Sequence, residues 1–333
     1  MAAPTTYPSD KQFIGVGKET TPGTAVAMVA TLPVDSFEPE DKATMLWDQG
    51  NRGSMVEQYA GIQGVKINNF SFKGAYFGDG AGYWLNNILG DITTTGSTPP
   101  YSHALSLLNT GTAQPGTLTI TDWQGLPATT LARQYAGSVL SELTISGSVE
   151  NELVQIEGKG TGWASIIAAA APTSAPTTAL PMAAWRSTVN IGGSADATIG
   201  DWEIKISRKI KPYFTAQNSQ NPYVIQRGAL SLIGKLTFAV PATEANAYLA
   251  YINNTQPAIT IAISNGGSGA GLLSFSAQMS VCAFDSSKID RGAEAVGYAT
   301  TFVPVGNTTD VGASGGYSPC KITIQNALAS GTF

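Results

Sequence analysis

The sequence predicts a mainly β protein with a few short helices, and three observations carry that reading. About ten segments alternate apolar and polar residues with a period of two. Clusters of Gly, Pro, Ser and Thr separate them, with 37 glycines in 333 residues. Chemistry-bearing side chains are scarce: there is one histidine, His103, and two cysteines, Cys282 and Cys320. A large β protein of this kind acts as a surface or an assembly rather than through an active site.

The elements follow in order. Residues 14–26 (IGVGKETTPGTAV) are Gly- and Thr-rich, cannot hold a helix, and predict an extended arm or loop. Their Gly15-x-Gly17 lacks the third glycine, the preceding buried strand and the following helix of a nucleotide-binding fingerprint. A short strand is expected at 32–38, then a long polar connection over 39–62 without a clear period, a length that is usually functional or interfacial. From Val65 alternation resumes, with Val65 and Ile67 on one face and Phe70, Phe72 and Tyr76 on the other, which predicts a bulge near Asn68 and Asn69. Asp79 is placed to cap a short helix through Tyr83, Trp84, Leu85 and Ile88 that stops at Gly90. Residues 91–116 read as loop. Leu118 and Ile120 then face inward on a strand, and a longer pair over 138–160 sets Leu143 and Ile145 against Val154 and Ile156 across a turn near Ser146, Gly147 and Ser148.

The clearest break in composition is 164–184 (ASIIAAAAPTSAPTTALPMAA), an uncharged Ala/Pro/Thr stretch that reads as a connector. It divides a first unit, 1–163, from a second, 185–333. In the second, Trp202, Ile204, Ile206 and Ile210 alternate with Asp201, Glu203, Lys205, Lys209 and Lys211, a strand with one dry and one wet face. A polar loop over 212–228 follows. Next come a strand with Leu230, Leu232, Leu236, Phe238 and Val240, a helix capped by Thr243 and carrying Ala247, Tyr248, Leu249 and Ile252, and a strand with Ile259, Ile261 and Ile263. The cleanest alternation runs Leu273, Phe275, Ala277, Met279, Val281, Ala283, and 271–284 holds no edge-protecting proline or lysine. Both units share an order of strand, long loop, strand with Gly-x-Lys or Gly-Lys, short aromatic helix and further strands. WLNNI (84–88) matches YLAYI (248–252), and Arg52-Gly53 matches Arg227-Gly228. An internal duplication with units of about 150 residues is the expectation.

Charged residues are only 12%, against about 25% in soluble domains, so other copies of the chain are expected to cover much of the surface. A net charge of −5 argues against wrapping the outside of DNA, which needs clustered Lys and Arg. The opening MAAPTTYPSD has no basic and apolar leader pattern, and no apolar run approaches the roughly 20 residues of a membrane span, so a soluble protein without membrane contact is expected. Cys282 and Cys320 lack metal-ligand spacing and read as packing thiols, with a disulfide open. Catalysis would rest on Glu142, Glu150, Glu152 and Glu157, which read as surface charge; His103 reads as a structural hydrogen-bonding residue. No catalytic residue, cofactor or metal is assigned. An alternative function is carbohydrate binding through Trp47, Trp123 and Trp163.

Several motifs, in order along the chain, resemble the major tail proteins, or tail tube proteins, of long-tailed bacteriophages of the siphophage type. They are IGVGKETTPGTAV, NNILG (86–90), YSHAL (101–105), GTLTITDW (116–123), NPYVIQRG, GKLTF and KITIQNA (321–327). The resemblance implies an antiparallel β-sandwich or barrel-like unit flanked by a helix, assembled into stacked rings around a channel that holds the tape-measure protein and conducts double-stranded DNA during ejection. It also implies tail terminator and distal tail partners, and a place in the virion after assembly in the host cytoplasm. With a duplicated chain the rings would be pseudo-sixfold trimers; single units form hexamers. The expected channel-facing set is Lys66, Asn68, Glu142, Thr144, Lys235, Thr237, Ser274, Ser276, Gln278 and Ser280. Contacts between rings are expected from the N-terminal arm and from the loops 39–62 and 212–228, with Trp47, Arg52, Tyr59, Phe214, Tyr223 and Arg227.

Overall fold

A computed structural model describes residues 9–124, 132–150, 152–168, 172, 176–238, 246–291 and 296–333. Every strand pairing among them is antiparallel. The first half holds β1 (Phe13–Lys18), β2 (Ala30–Leu32), β3 (Ser36–Asp48), β4 (Ala60–Ala75), α1 (Ala81–Leu89), β5 (Gly90–Thr95), β6 (Tyr101–Leu107), β7 (Leu118–Trp123), β8 (Arg133–Ser148), β9 (Gln155–Gly162) and β10 (Ile166–Ile167). The second holds β11 (Ser187–Ile191), β12 (Ser194–Ala195), β13 (Ile199–Tyr213), β14 (Val224–Phe238), α2 (Asn246–Ile252), β15 (Ile259–Ser264), β16 (Ser274–Met279), β17 (Cys282–Asp290), β18 (Gly297–Pro304) and β19 (Lys321–Asn326).

Two sheets enclose one core. The larger contains an unbroken run β3-β4-β9-β8-β13-β14-β18-β17, with β7, β1, β2 and β10 joined to the far end of β8. The smaller runs β12-β11-β15-β16-β19-β6-β5. Both contain strands from each half, and the buried set (Leu143, Ile145, Trp202, Ile204, Phe275, Ile324) draws on both. In the larger sheet the halves repeat one order, a hairpin followed by the second hairpin reversed: β3-β4-β9-β8, then β13-β14-β18-β17.

The two long polar connections are hairpins. Residues 39–62 comprise the end of β3, the turn 49–59 and the start of β4, paired from Ser36↔Lys73 out to Asp48↔Ala60, and 212–228 comprise the end of β13, the turn 214–223 and the start of β14, paired out to Tyr213↔Val224. The bulge lies where Ala43 and Met45 meet Lys66 and Gln63, a few residues before the expected place, and register is continuous through Asn68 and Asn69. Hence Asn68, Phe70 and Phe72 share the core face, while Val65 and Ile67 sit where the strand has outrun it.

α1 ends as the sequence reads, at Gly90 with φ 91°, where an αL residue suits glycine. Its N-cap is Gly80 rather than Asp79, whose carboxylate accepts the Thr177 hydroxyl instead. Residues 91–116 are not all loop, since β5 and β6 pair there. In the β8–β9 hairpin Ile145 does oppose Ile156, but Leu143 faces Gly158 and the turn comes after Ser148. The alternation from Leu273 breaks at Ser280, where the chain leaves the smaller sheet for the larger one. Asp310 fixes that corner by accepting from the Ser280 amide (2.7 Å) and hydroxyl (2.7 Å), so Cys282 and Phe284, not Val281 and Ala283, face the core. β16 lies between β15 and β19, so it needs no edge protection. Val240 and Thr243 fall outside the described residues.

The segment at 14–26 is no arm. β1 is paired on both sides, with Ile14 and Val16 buried. Glu19 is buried too, and its carboxylate accepts from the Gly23 and Gly137 amides (both 2.8 Å) and from the Thr117 (2.6 Å) and Thr119 (2.7 Å) hydroxyls. Four donors offset the cost of burying that carboxylate. Gly23 and Gly137 have positive φ, and both lie against the Trp163 indole, with which a side chain at Gly23 would collide.

Candidate assembly surface

One face of the eight-strand run covers the core, and the other is polar. Alternation assigns the sides: Trp202, Ile204 and Ile206 are buried, so Asp201, Glu203, Lys205 and Ser207 project outward. Pairing across strands then brings opposite charges together. Lys73 on β4 meets Glu157 on β9 (2.8 Å); Glu142 on β8 lies between Lys159 (3.8 Å) and Lys205 (2.7 Å); Glu203 on β13 meets Lys235 on β14 (2.8 Å). Lys42 and Glu40 pair along β3 (3.0 Å). Lys288 on β17 has no acidic partner among the described residues, and the same holds for Lys209 and Lys211 on β13. The pairs are solvated, so each adds little stability, but together they neutralise most cations of the face.

The expected channel-facing residues divide. Glu142, Thr144, Lys235 and Thr237 stand on this polar face. Asn68 does not: it is fully buried, with its amide donating to the Asp41 carboxylate (3.1 Å), and Lys66 shares its parity. Moving the bulge inverted the assignment of that strand, and the outward residues of β4 are Asn69, Ser71 and Lys73. Ser274, Ser276 and Gln278 belong to β16 in the smaller sheet, and Ser280 to the corner after it. There Ser274 donates to Gln325 (2.9 Å), and the Gln278 amide donates to Asp310 (2.9 Å) and to the Ser280 hydroxyl (3.1 Å). The partners Lys73, Glu157, Lys159 and Glu203 were missing from that set; opposite charges at matching rungs of neighbouring hairpins were the available signal.

The registers also place both long hairpins at one end of the sheet, while the β8–β9 and β17–β18 turns lie at the other. Beyond the core the first hairpin is exposed on both faces and carries Met45, Leu46, Trp47, Met55, Val56 and Ile62 in solvent. Its tip is ordered locally: Asp48 holds Arg52 in an ion pair, and that guanidinium covers the Tyr59 ring at 4.8 Å. The second hairpin exposes Tyr213, Phe214 and Tyr223. Its turn is tied to the first, since the Gln220 amide donates to the Gln63 (3.1 Å) and Gly64 (3.0 Å) carbonyls and the Lys66 amide donates to the Gln220 carbonyl (2.9 Å).

Arg227 is not a contact residue of a loop. It is buried on β14 and donates to the Pro115 and Gly116 carbonyls, beside buried Arg208, which donates to Gly228 (3.0 Å) and Ile88 (3.2 Å). Burial, and secondarily Arg208, pushes the Arg227 pKa down to about 9. The sequence offered no signal for either arginine, because carbonyls rather than acids receive them.

The residues weighed for catalysis are engaged in structural contacts. His103 is buried, with Nδ1 2.8 Å from the Thr94 hydroxyl and Nε2 3.2 Å from the Asn326 carbonyl oxygen. Glu142 and Glu157 are held by lysines. Cys282 and Cys320 are free and buried, which pushes both thiols up to about 12. Among the described residues no group of His, Cys, Asp or Glu could hold a metal ion, and no helix is long and apolar enough to cross a membrane. Of the tryptophans considered for sugar stacking, Trp123 and Trp163 are half-buried and only Trp47 stands free.

No curated protein matches the chain. The family model described as phage tail tube protein matches residues 9–318. That span covers nearly all of a mainly β chain whose conspicuous surfaces are a charge-balanced wall and two projecting ribbons, and the chain belongs to the phage tail tube protein family.

Proposed function

We propose that this structural protein of the phage tail polymerises into rings that stack as a tube. The tube encloses the tape-measure protein during assembly and passes double-stranded DNA at ejection. The observation that carries the reading is the eight-strand run, polar on one face, covered on the other, and, among the described residues, unpaired along β3 and β17 at its two margins. An open strand edge is a site for another strand. A sheet extended from copy to copy closes into a barrel whose polar face lines the lumen, with Glu142, Thr144, Lys235 and Thr237 among the lining residues.

Size favours three copies. Eight strands about 4.8 Å apart span roughly 38 Å, so three copies close at a backbone diameter of about 37 Å before tilt, and six at about 73 Å. The smaller ring fits closely around a duplex. In it each chain, read as a duplicated unit, fills two of six sectors. Lysines already paired with carboxylates release few counterions to phosphate, so DNA slides without sequence-specific grip. The ribbons carrying Trp47, Arg52, Tyr59, Phe214 and Tyr223 reach the next ring, and the tube's two ends meet the tail terminator and distal tail proteins. Assembly takes place in the host cytoplasm.

Negative-stain electron microscopy of the purified chain tests this reading. Rings or filaments with a lumen wide enough for a duplex are expected; solid particles without a hole under all assembly conditions overturn it.

A further inference from the structure

The two halves correspond rung by rung, irregularities included. In the first half the β3·β4 register shifts between Ala43 and Met45; in the second the β13·β14 register shifts between Arg208 and Ile210. The β8·β9 register shifts between Leu140 and Glu142, and the β17·β18 register between Phe284 and Ser286. Both bulges fall at the same rungs when Phe70↔Gly160 is laid on Gly234↔Phe302. Under that correspondence β3 answers to β13, and β8 to β17. The chain therefore already contains one junction between successive sectors, β8·β13, in which Glu142↔Ser207, Leu143↔Ile206, Thr144↔Lys205 and Ile145↔Ile204 are partners.

From this internal template we propose the register of the contact between copies, a deduction that rests on the ring reading above: β17 of one copy adds antiparallel to β3 of the next, with Ser286 opposite Lys42, Ser287 opposite Asp41, Lys288 opposite Glu40 and Ile289 opposite Pro39.

Three features of the isolated chain fit that seam. Lys288, without an acidic partner of its own, meets Glu40 directly across it, where side chains of an antiparallel pair are neighbours. The buried Ser287 hydroxyl has no hydrogen-bond partner among the described residues and comes opposite the Asp41 carboxylate. Third, α1 and α2 occupy equivalent places, on β8 and on β17 and β18, yet differ in cover. Leu85 and Ile88 of α1 are fully buried, and the Ile88 carbonyl is held by Arg208 on the next sector's strand. Their counterparts on α2, Leu249 and Ile252, are 39% and 59% exposed. The next copy stands where the second half stands for α1. The seam is also the weaker junction, because β3 has Ala43 where β13 has Arg208, so it lacks the arginine clamp.

Charge exchange tests the register. At low salt Lys288→Glu sets two carboxylates opposite one another, and the concentration needed for assembly rises by roughly five- to thirtyfold; 1 M salt shrinks the effect. The double variant Lys288→Glu/Glu40→Lys returns to within about threefold of the parent. A single variant that assembles like the parent at low salt, or a double variant that does not recover, overturns the register. Cross-linking provides the second measurement. Ser286→Cys with Lys42→Cys should join copies covalently through a short thiol cross-linker, whereas Ser286→Cys with Glu38→Cys should not; the native cysteines are buried and do not compete. Rings that cross-link only through the displaced pair refute the register but leave the ring reading intact. A parent chain that never forms rings sinks both.

Discussion

Two equivalent rungs of the larger sheet solve one packing problem in opposite ways. In the first half Phe70 on β4 lies across Gly160 on β9; in the second Gly234 on β14 faces Phe302 on β18. Each glycine lies beneath the facing ring, leaving no room for a Cβ. One aromatic ring and one hydrogen fill each rung, but the strand that supplies the ring changes. Packing constrains the volume of a rung, not the identity of a position. This is how registers can agree bulge for bulge while the two halves share so little sequence.

The strongest way to break that comparison is to move a ring. Phe302→Gly should cost about 4 kcal/mol in denaturant unfolding, combining a core cavity with a flexible strand residue. Adding Gly234→Phe should restore more than half, because the atoms nearest that position all belong to the Phe302 ring. The mirror exchange, Phe70→Gly with Gly160→Phe, should recover much less, because the Val139 carbonyl also crowds Gly160. Equal recovery in both halves would show that the rungs are interchangeable after all.

The two long hairpins sharpen the contrast. Trp202 on β13 is buried, with its indole donating to the Ser187 hydroxyl at 3.0 Å, so Trp202→Ala should lower stability by about 3–5 kcal/mol. Trp47 on β3 is 54% exposed, so Trp47→Ala should change chain stability by no more than about 0.5 kcal/mol while weakening assembly, read by sedimentation. Comparable losses in chain stability would refute the division between a core hairpin and a reaching one.

A smaller effect separates the sheets. Burial in the smaller sheet holds the His103 pKa below its usual value, outweighing the hydrogen bond to Asn326. The unfolded chain therefore binds the proton more readily, so His103 supports stability above about pH 6.5 and withdraws that support as pH falls. A His103→Gln variant should show a flatter melting temperature between pH 7.5 and 5; an unchanged slope would remove His103 as the cause. The smallest change is expected on the polar wall, where Lys235→Ala breaks a solvated pair and should shift unfolding by no more than about 0.5 kcal/mol.

Legibility in the sequence followed how completely one face was covered. β13 alternates because Trp202, Ile204 and Ile206 meet the core while Glu203 and Lys205 do not, and α1 could be read to its stop at Gly90. The β3–β4 ribbon was invisible as a pair of strands because solvent bathes both its faces and no period results. β5 and β6 were missed for another reason. Their buried positions include Asp91, His103 and Ser106, polar groups satisfied by distant partners such as Ser314 and Asn326. Of the candidate surface, Glu142, Thr144, Lys235 and Thr237 share one polar face of the larger sheet. Lys66 and Asn68 failed through a bulge displaced by a few residues, since each slip of one residue exchanges the faces of a strand. Ser274, Ser276, Gln278 and Ser280 failed because alternation reveals that a strand has two sides but not which sheet it joins.

Both ribbons leave the sheet at the same end and expose apolar side chains there, Met45, Leu46, Trp47, Phe214 and Tyr223 among them. Each molecule therefore has a head and a foot. In the tube proposed above, a column of such molecules is a vector: its termini would present chemically unlike caps, subunits would add to them at different rates, and a factor that fits one terminus would have no purchase on the other.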